Sequence, residues 1–317
     1  MNVSIIICTH NRASLLKDVL ESLRHMNVPE DCNVEIIVVN NACTDNSPSI
    51  VDAFSKDSKN FSVKILFEPR LGKTYALNKG IKNASGAILA LMDDDHIISK
   101  GYMHAVSKAV KENPSYNLYC GKIIPNWDGT EPKWVHDNSK YPVRPFPIPY
   151  FDLGDVTIEV KPEKGMFIPG AGNLFIKKTV FQKIGPFSEQ LGPKGHDLSG
   201  GEDIEFIKRV LNKGDRLLYV PEALQYHQVD KSKLTLSYVT KKAYFRSMAA
   251  YQFAETNTSL HICNIPIYLI RQAFSRLIRA LFAINKDARR YYLVRLSAVL
   301  GEIQGRRKSN ALRILKI

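Results

Sequence analysis

Three consecutive carboxylates, Asp93, Asp94 and Asp95, are the residues of this chain best suited to chemistry. They follow the apolar run AILALM (87 to 92), which has the composition of a buried strand. Adjacent carboxylates repel one another unless water, protonation or a cation relieves the repulsion. Their oxygen ligands suit Mg²⁺ or Mn²⁺, and such a cation neutralises charge that develops on a diphosphate leaving group. A solvated acidic turn is the alternative interpretation.

A second acidic pair, Glu202 and Asp203, ends the Gly-rich stretch LGPKGHDLSGGED (191 to 203) and begins a predicted helix. Ser199 precedes Glu202 by three residues, which is the spacing of a helix capping box. The functional interpretation is that Asp203 is a general base, which takes the proton from an attacking hydroxyl. The two interpretations are compatible if Glu202 caps or orients and Asp203 reacts.

Several other side chains could complete such a site. His227 follows the apolar run LLYV and could supply a nitrogen ligand to the same cation, although a buried, hydrogen-bonded histidine is equally consistent. Arg70 and Lys73 are candidates for holding phosphates, and simple solvation is the alternative. Trp127 and Trp134 could stack on a sugar or anchor a loop.

The elements that must position these residues alternate along the first half of the chain. Apolar runs VSIIIC (3 to 8), VEIIVV (34 to 39), VKILF (63 to 67) and AILALM are separated by helical patterns. This alternation predicts an α/β fold with a mostly parallel sheet covered by helices. Ligands of such sheets bind beyond the carboxyl ends of the strands. The clusters THNR, NNACTDN, EPRLGK and DDDH each follow one of these runs, so we expect a site there.

Two apparent nucleotide motifs are rejected. The segment LGKT (71 to 74) ends like a phosphate-binding P-loop, but Phe67 occupies the position where that motif needs glycine. The segment GAGNLF (170 to 175) lacks the third glycine of a dinucleotide fingerprint and its strand-then-helix setting. The sequence therefore disfavours P-loop ATP hydrolysis and a nicotinamide cofactor.

The composition is that of a globular protein with enough apolar residues for a full core. Of 317 residues 44% are hydrophobic, and no run of 18 apolar residues occurs. Five cysteines at irregular spacing, without a CxxC pair, are typical of a reducing compartment: Cys8, Cys32, Cys43, Cys120 and Cys263. We expect a cytoplasmic protein without a signal peptide or membrane span.

The order of these segments resembles the inverting glycosyltransferases of family 2, which have the GT-A fold. The resemblance extends over about residues 3 to 229. It is carried by CTHNR, VVNNACTDN, EPRLGKTYALNKGI, ALMDDDH, PGAGNLFIKK, GGEDIEFIKRVLNKG and LQYHQ. It implies transfer of a sugar from a nucleotide-sugar to a saccharide or lipid-linked acceptor, with Mn²⁺ or Mg²⁺ as cofactor, in surface polysaccharide or glycolipid assembly.

The resemblance also implies a role for individual residues. Asp93 and Asp95 form a DxD unit, in which Asp95 binds the metal and Asp93 contacts the nucleoside; His227 and Asp93 complete the predicted metal ligands. Asp203 falls on the catalytic base, and Asn173 lies in a segment that usually lines the acceptor side. The predicted substrate-binding residues are Thr9, Asn11, Arg12, Asn40, Arg70, Lys73, Asp93, Asp94, Asn173 and Glu202.

One departure concerns the donor base. Asn40 stands where the family commonly has an aspartate that reads uracil, and asparagine offers both a donor and an acceptor. A UDP-sugar is therefore the default donor, with thymidine and guanosine donors left open. The alternatives to sugar transfer are nucleotidyl transfer and a non-catalytic, carbohydrate-binding scaffold on the same fold.

The excess positive charge lies entirely in the C-terminal region, which we predict as a separate helical part (230 to 317) beside a catalytic domain (1 to 229). Residues 226 to 317 contain 17 lysines and arginines against 4 acidic residues, and the rest of the chain is neutral. A helix over 265 to 290 would carry a basic and an apolar face. It could lie on an anionic membrane surface or pack on the catalytic domain. Nucleic acid is not expected as a partner.

Overall fold

The computed structural model describes residues 1–58, 60–136, 140–195, 198, 200–251, 261–262 and 265–314. The chain forms two compact units. The first comprises Met1–Asn126, Tyr150–His196 and Glu202–Gln228, and the second comprises Trp127–Pro149, Asp197–Gly201 and Val229–Ile317. The predicted division after residue 229 stays a prediction. Ser199 and Cys263, which the sequence singled out, lie outside the described residues.

The described residues form eleven strands and nine α-helices. The strands are β1 (Asn2–Thr9), β2 (Asn33–Asn41), β3 (Ser62–Glu68), β4 (Ile88–Asp93), β5 (His96–Ile98), β6 (Leu118–Pro125), β7 (Ile158–Val160), β8 (Asn173–Lys177), β9 (Leu217–His227), β10 (His261–Ile262) and β11 (Ile265–Pro266). The helices are α1 (Ala13–Arg24), α2 (Ser47–Asp57), α3 (Lys73–Asn83), α4 (Tyr102–Glu112), α5 (Thr179–Ile184), α6 (Glu202–Asn212), α7 (Leu236–Tyr251), α8 (Ile267–Leu281) and α9 (Lys286–Ile314). Short 3-10 helices occur at Lys133–His136, Pro162–Lys164 and Lys231–Lys233.

Parallel pairing joins the four strands predicted from the first half of the chain. Their order is β3-β2-β1-β4, and every pairing among them is parallel. In register, Thr9 of β1 lies beside Asn40 of β2. On the other side of β1, Cys8 lies beside Asp93 of β4. The carboxyl ends of these strands therefore meet at one edge of the sheet, as the sequence predicted.

The remaining strands extend this sheet with mixed directions. β8 lies between β4 and β6 and is antiparallel to both. β9 is parallel to β6 and antiparallel to β5 and β7. In the short strand β5, His96 lies directly opposite His227 of β9. This pairing places the residue that follows the acidic triplet beside the histidine predicted as a metal ligand.

Helices cover both faces of the sheet, and β1 shows how the sequence directs this. Ile5 and Ile7 point into the apolar core that includes α1 and α4, whereas Ile6 points into the core that includes α3 and α6. Gly80 lets α3 approach the sheet closely, because a Cβ atom there would lie 2.5 Å from Cγ2 of Ile6. The predicted α/β class with a mostly parallel sheet is confirmed.

The second unit is built mainly from helices, so the predicted C-terminal helical region is confirmed. α9 packs against both α7 and α8. Gly301 of α9 permits a close crossing with α7, because a Cβ atom there would lie 2.1 Å from the backbone oxygen of Tyr244. None of the described helices is both long and apolar enough to cross a membrane.

The single helix predicted over 265 to 290 is wrong, because residues 282–285 separate α8 from α9. Asn285 begins the new helix: its Oδ1 accepts hydrogen bonds from the backbone N–H groups of Asp287 at 2.7 Å and Ala288 at 3.3 Å. Three basic residues of the single predicted helix therefore belong to α9: Lys286, Arg289 and Arg290.

The two tryptophans belong to apolar clusters of the second unit. Both tryptophans are partly buried. Trp134 packs against two clusters, one that contains Val143 and Val239 and one that contains Ile148. Trp127 packs against the cluster that contains Ile148. These contacts anchor this part of the chain, and stacking of either ring on a sugar stays a prediction.

Candidate active site

Asp95, His96 and His227 converge at the edge of the sheet. One potential ligand atom from each lies within 4.8 Å of the others, and all three residues are buried. Nε2 of His96 lies 3.8 Å from Oδ1 of Asp95, and Nε2 of His227 lies 3.8 Å from Oδ2 of Asp95. The turn from β4 into β5 places Asp95 against the cross-strand histidine pair. These three side chains form a candidate site for a divalent cation.

Hydrogen bonds determine which nitrogen of each histidine faces Asp95. Nδ1 of His227 lies 2.8 Å from the backbone oxygen of Gln228, and Nδ1 of His96 lies 2.8 Å from Oε1 of Gln225. Both oxygens are acceptors, so in a neutral ring each Nδ1 carries the proton and each Nε2 has a lone pair. Two such nitrogens and a carboxylate in this arrangement fit a metal ion that accepts mixed nitrogen and oxygen ligands.

The orientation of Gln225 is itself fixed by buried groups. The amide Nδ2 of Asn173 donates to two backbone oxygens, at 2.8 and 3.0 Å, which makes its Oδ1 the acceptor. That Oδ1 accepts from the hydroxyl of Tyr102 at 3.0 Å and from Nε2 of Gln225 at 3.1 Å. Only Oε1 of Gln225 is then left to accept from His96. A chain of buried hydrogen bonds thus extends from Tyr102 to the candidate metal site.

This network gives Asn173 a role that differs from the prediction. The sequence placed it among the substrate-binding residues on the acceptor side. Its side chain is buried, with 1% of the residue exposed, and both of its amide hydrogens and both lone pairs of its oxygen are used within the protein. Asn173 therefore positions other residues rather than contacting a substrate through its side chain.

Arg12 forms ion pairs with the acidic triplet. Its Nη1 lies 2.8 Å from Oδ1 of Asp94 and 3.2 Å from Oδ2 of Asp95. Burial raises the pKa of Asp94 to about 6, although the charge of Arg12 and the hydroxyl of Thr9 oppose this rise. The structure thus brings together three predicted substrate-binding residues, Thr9, Arg12 and Asp94; their contacts with a substrate stay a prediction.

Lys73 connects the acidic triplet to the second acidic pair. Its Nζ lies 2.7 Å from Oδ1 of Asp93. Burial alone would lower the pKa of Lys73, but the charge of Asp93, followed by that of Asp203, raises it well above its ordinary value. Burial, followed by the charge of Asp203, raises the pKa of Glu202 to about 8. At pH 7 Glu202 is therefore mostly neutral.

Asp203 lies in the first turn of α6, where a carboxylate is favoured by the helix dipole. Its Oδ1 is buried and has no hydrogen-bond partner among the described residues. Burying an unpaired polar atom costs free energy, so such an atom in a folded protein commonly serves a ligand or a reaction. The geometry is therefore compatible with the predicted role of Asp203 as a base, which stays a prediction.

The packing around Gly172 shows why the segment GAGNLF, which does not fit a dinucleotide motif, contains glycine. A Cβ atom at Gly172 would lie 2.5 Å from Oδ2 of Asp93 and 2.7 Å from Cε1 of His96. At Gly170 a Cβ atom would lie 3.4 Å from Oδ2 of Asp203, which is an ordinary contact. Glycine is thus required at 172 because the acidic triplet and His96 pack directly against the backbone there.

Two predicted donor-site asparagines organise the loop after β2. Oδ1 of Asn11 accepts from the backbone N–H groups of Thr44 at 2.7 Å and Asp45 at 3.2 Å. Oδ1 of Asn40 accepts from the backbone N–H of Cys43 at 2.9 Å. This hydrogen bond assigns the amide of Asn40, so its NH₂ group is the part available as a donor.

Arg70 is held at the surface by its neighbours. Its Nε and Nη2 donate to the two carboxylate oxygens of Glu68 at 2.9 and 3.1 Å. Its guanidinium carbon lies 4.4 Å from the centre of the Tyr75 ring, and 57% of its side chain is exposed. The geometry fixes one edge of the guanidinium group; the predicted phosphate contact of Arg70 stays a prediction.

The structure adds His96, Gln225 and Gly172 to the residues that sequence reasoning selected. His96 had a visible signal, because it directly follows the triplet in DDDH. Gln225 and Gly172 had none that pointed to this site. Asp93, predicted as a ligand, lies against Lys73 and is not part of the triad found among the described residues; its role at the metal stays a prediction.

Residues 4–185 match the family described as "Glycosyl transferase family 2". The succinoglycan biosynthesis protein ExoM of Rhizobium meliloti is 23% identical over 248 residues, which cover 78% of this chain and 73% of ExoM. The glucosyl-dolichyl phosphate glucuronosyltransferase of Haloferax volcanii is 20% identical over 251 residues, which cover 78% of this chain and 75% of that protein. The chain spans only 28% of the putative glycosyltransferase EpsH of Bacillus subtilis, at 33% identity.

Solved structures share the fold at low sequence identity. The mannosyltransferase PcManGT of Pyrobaculum calidifontis, in complex with GDP-Man and Mn²⁺, has a TM-score of 0.60 at 18% identity and covers 97% of this chain and 86% of its own. TarS 1-349 of S. aureus, in complex with UDP, has a TM-score of 0.53 at 16% identity and covers 99% of this chain and 92% of its own. These likenesses confirm the GT-A fold.

Proposed function

Since the chain belongs to glycosyl transferase family 2, we propose that this glycosyltransferase is metal-dependent and moves a sugar, with inversion, from a nucleotide-sugar to an acceptor hydroxyl. The observation that carries the proposal is the arrangement at one edge of the sheet. Asp95, His96 and His227 form a candidate cation site, and Lys73 links the acidic triplet to Asp203. Donor, metal and base functions thus have residues of the appropriate chemistry within one compact unit.

Asp95 and the two histidines would hold the cation through one carboxylate and two Nε2 atoms. A bound Mn²⁺ or Mg²⁺ would supply neutralisation of the negative charge on the donor diphosphate. The histidine pair favours Mn²⁺, because Mg²⁺ prefers oxygen ligands. Lys73 adds a fixed positive charge beside Asp93, which suits the binding of a phosphate oxygen.

Asp203 acts as the general base in this proposal. Its buried Oδ1 accepts the proton of the acceptor hydroxyl, and the hydroxyl oxygen attacks the anomeric carbon opposite the leaving diphosphate. A single displacement inverts the configuration of that carbon and needs no covalent sugar intermediate. Glu202, mostly neutral at pH 7, adds little negative charge next to the base.

The donor and acceptor are proposed from Asn40 and from the names of relatives. A UDP-sugar is the first donor to test, with Asn40 at the position that reads the base, and GDP- and dTDP-sugars follow. The acceptor is a saccharide or lipid-linked saccharide, as in surface polysaccharide or glycolipid assembly, reached from the cytoplasmic face of a membrane. The names of relatives such as ExoM and poly-beta-1,6-N-acetyl-D-glucosamine synthase of Staphylococcus epidermidis support this choice.

Calorimetric titration with UDP, GDP and dTDP, with and without Mn²⁺, tests the donor site. We expect one nucleotide to bind in a Mn²⁺-dependent manner and Asp95→Ala to abolish that binding. Asp203→Asn should bind the nucleotide normally but lose transfer by about 10²- to 10⁴-fold. Glu205→Gln on the same helix is the control, because Glu205 pairs with Arg209 at 2.8 Å, away from the site.

The same measurements distinguish the alternatives. A nucleotidyltransferase would release pyrophosphate from a nucleoside triphosphate and would not depend on Asp203. A carbohydrate-binding scaffold would bind sugars without binding any nucleotide. Absence of nucleotide binding in the wild-type protein would therefore overturn the proposed transfer.

A further inference from the structure

α8 presents its apolar side chains to solvent. On a helical projection at 100° per residue, the buried residues Leu269 and Ala280 share one stripe with Arg276, whose guanidinium donates to the backbone oxygen of Arg295 on α9 at 3.0 Å. The apolar face lies about 100° away from that stripe. Its most exposed helical residues are Phe274, with 67% exposed, and Leu281, with 62% exposed. The helix thus packs on α9 through the stripe that contains Leu269, Arg276 and Ala280, and its apolar face stays exposed.

Two more exposed apolar residues follow the helix in sequence. Phe282 is 78% exposed and Ile284 is 100% exposed. We name this surface the apolar ridge and define it by Ile270, Phe274, Leu277, Leu281, Phe282 and Ile284. An exposed apolar face along a helix, here formed by Ile270, Phe274, Leu277 and Leu281, marks an interaction site in a natural protein, because exposing it to water is unfavourable.

Positive charge accompanies the apolar ridge. Arg271 and Arg279 are exposed on α8, about 90° and about 170° from the centre of the helical apolar face on the same projection. Asp287, the acidic residue nearest in sequence, pairs with Arg290 at 2.7 Å. The whole segment from 226 to 317 has 17 basic against 4 acidic residues. An amphipathic helix with this combination binds in the interface of a membrane that contains anionic lipid.

We propose that the apolar ridge docks the protein on an anionic phospholipid surface, with the ridge among the acyl chains and Arg271 and Arg279 at the headgroups. The docking is peripheral, because the ridge belongs to one exposed face of a short helix. It rests on the proposed function only for the expectation that the acceptor is lipid-linked. A second copy of the chain is a poorer occupant, because pairing two ridges would bring two strongly basic surfaces together.

Co-sedimentation of the full chain with vesicles tests the proposal. The vesicles contain phosphatidylcholine alone or mixed with phosphatidylglycerol. We expect binding to the mixed vesicles only, with a large decrease as NaCl rises from about 0.1 M to about 1 M. The double variant Phe274→Ser/Leu281→Ser should lower the partition coefficient at least about tenfold. Val156→Ser is the matched control, because Val156 is 68% exposed outside the ridge.

Charge is tested separately with Arg271→Gln/Arg279→Gln, which should weaken binding about tenfold at low salt and little at high salt. Lys164→Gln/Lys213→Gln removes two exposed charges from the first unit and should leave binding unchanged. Equal binding by wild type and the ridge variant, or no binding to mixed vesicles, would overturn the proposal. A wild-type dimer in sedimentation velocity that becomes a monomer in the ridge variant would assign the ridge to self-association instead.

The docking proposal and the proposed function fail in different ways. Asp203→Asn should bind mixed vesicles like the wild type, since Asp203 is not part of the ridge. The ridge variant should still bind nucleotide in a Mn²⁺-dependent manner. Loss of vesicle binding with intact nucleotide binding therefore concerns the ridge alone, and the reverse pattern concerns the transfer site alone.

Discussion

Oε1 of Gln225 lies 2.8 Å from Nδ1 of His96, and both side chains are buried. Because Nε2 of Gln225 donates to Asn173 at 3.1 Å, Oε1 can only accept from His96. The lone pair of His96 is therefore directed toward Asp95 by a residue outside the candidate triad. Such outer hydrogen bonds commonly tune metal affinity.

Gln225→Met should weaken Mn²⁺ binding by about tenfold, because it removes the nearer of the two acceptors of Nδ1 of His96 and leaves only the backbone oxygen of Gly172, at 3.2 Å. Electron paramagnetic resonance of unbound Mn²⁺ measures the affinity without any assay of transfer. Tyr119→Phe is the matched control: Tyr119 is a fully buried tyrosine whose hydroxyl donates to the backbone oxygens of Asn113 and Tyr116. An equal loss of affinity in both variants would mean that Gln225 acts only through general stability.

His96→Ala should lower the Mn²⁺ affinity at least about tenfold, and His227→Ala should do the same, because each removes one nitrogen of the candidate site. Asp93→Asn should change the affinity in the absence of nucleotide by less than about threefold, since Asp93 lies against Lys73. If Asp93→Asn abolishes metal binding while His96→Ala leaves it intact, the ligand set predicted from the sequence is right and the triad is wrong.

The parallel half of the sheet was predictable because its strands are near-continuous apolar runs. A strand buried on both faces leaves that signal in the sequence, and the adjacent polar clusters then fall at one edge. Asp95 could be selected in this way, and His227 from the apolar run LLYV that precedes it. His96 was overlooked, although it follows the triplet directly, because only its pairing with His227 across β5 and β9 shows that the two rings share a site.

Other features could not be predicted, because they depend on distant residues or on single side chains. Asn173 has the same local sequence whether it faces a substrate or a buried amide, and its four hydrogen bonds involve groups far away in the chain. The break between α8 and α9 depends on the capping oxygen of Asn285. A periodic pattern continued through that position, so the sequence predicted one helix where the structure has two.

Gly172→Ala should disrupt the candidate metal site, because the new methyl group would lie 2.5 Å from Oδ2 of Asp93 and 2.7 Å from Cε1 of His96. We expect at least about a tenfold loss of Mn²⁺ affinity with a folded protein, since a site displaced by even a fraction of an ångström loses ligand geometry. Gly170→Ala is the control, because its methyl group would make an ordinary contact of 3.4 Å with Asp203. Similar Mn²⁺ affinities for both variants would contradict this account of Gly172.

Glu202 should make the metal-free protein less stable as the pH rises. Its pKa is 4.5 in ordinary surroundings and about 8 in the folded chain, so the folded state holds more protons than the unfolded state between these values. The free energy of unfolding therefore decreases with rising pH in this window. Glu202→Gln removes this dependence and should gain roughly 1 to 3 kcal/mol relative to the wild type between about pH 5 and about pH 9.

Urea unfolding of both proteins across that pH range measures the difference. Glu205→Gln is again the control, since its side chain is 35% exposed and pairs with Arg209. A constant difference between Glu202→Gln and wild type at every pH would show that Glu202 is ionised in the folded chain like an ordinary glutamate.

Glu35 should have the opposite effect on stability, at lower pH. Burial would raise its pKa, but hydrogen bonds from Lys64, Ser4 and Ser85 lower it to about 2. The folded state therefore binds fewer protons than the unfolded state between that value and 4.5, so the stabilisation is complete above about pH 4.5 and is lost as the pH falls toward 2. Glu35→Gln should cost roughly 1 to 3 kcal/mol at pH 7, because the carboxylate joins β2 to its neighbours.

The difference between Glu35→Gln and the wild type should shrink steadily below about pH 4 and approach zero near about pH 2. Urea unfolding at a series of pH values measures it, with Asp52→Asn as the control. Asp52 pairs with Lys56 at 2.7 Å, but 57% of its side chain is exposed, so its loss should matter little at any pH. A penalty for Glu35→Gln that persists unchanged at low pH would show that packing, rather than the ionised carboxylate, holds these strands together.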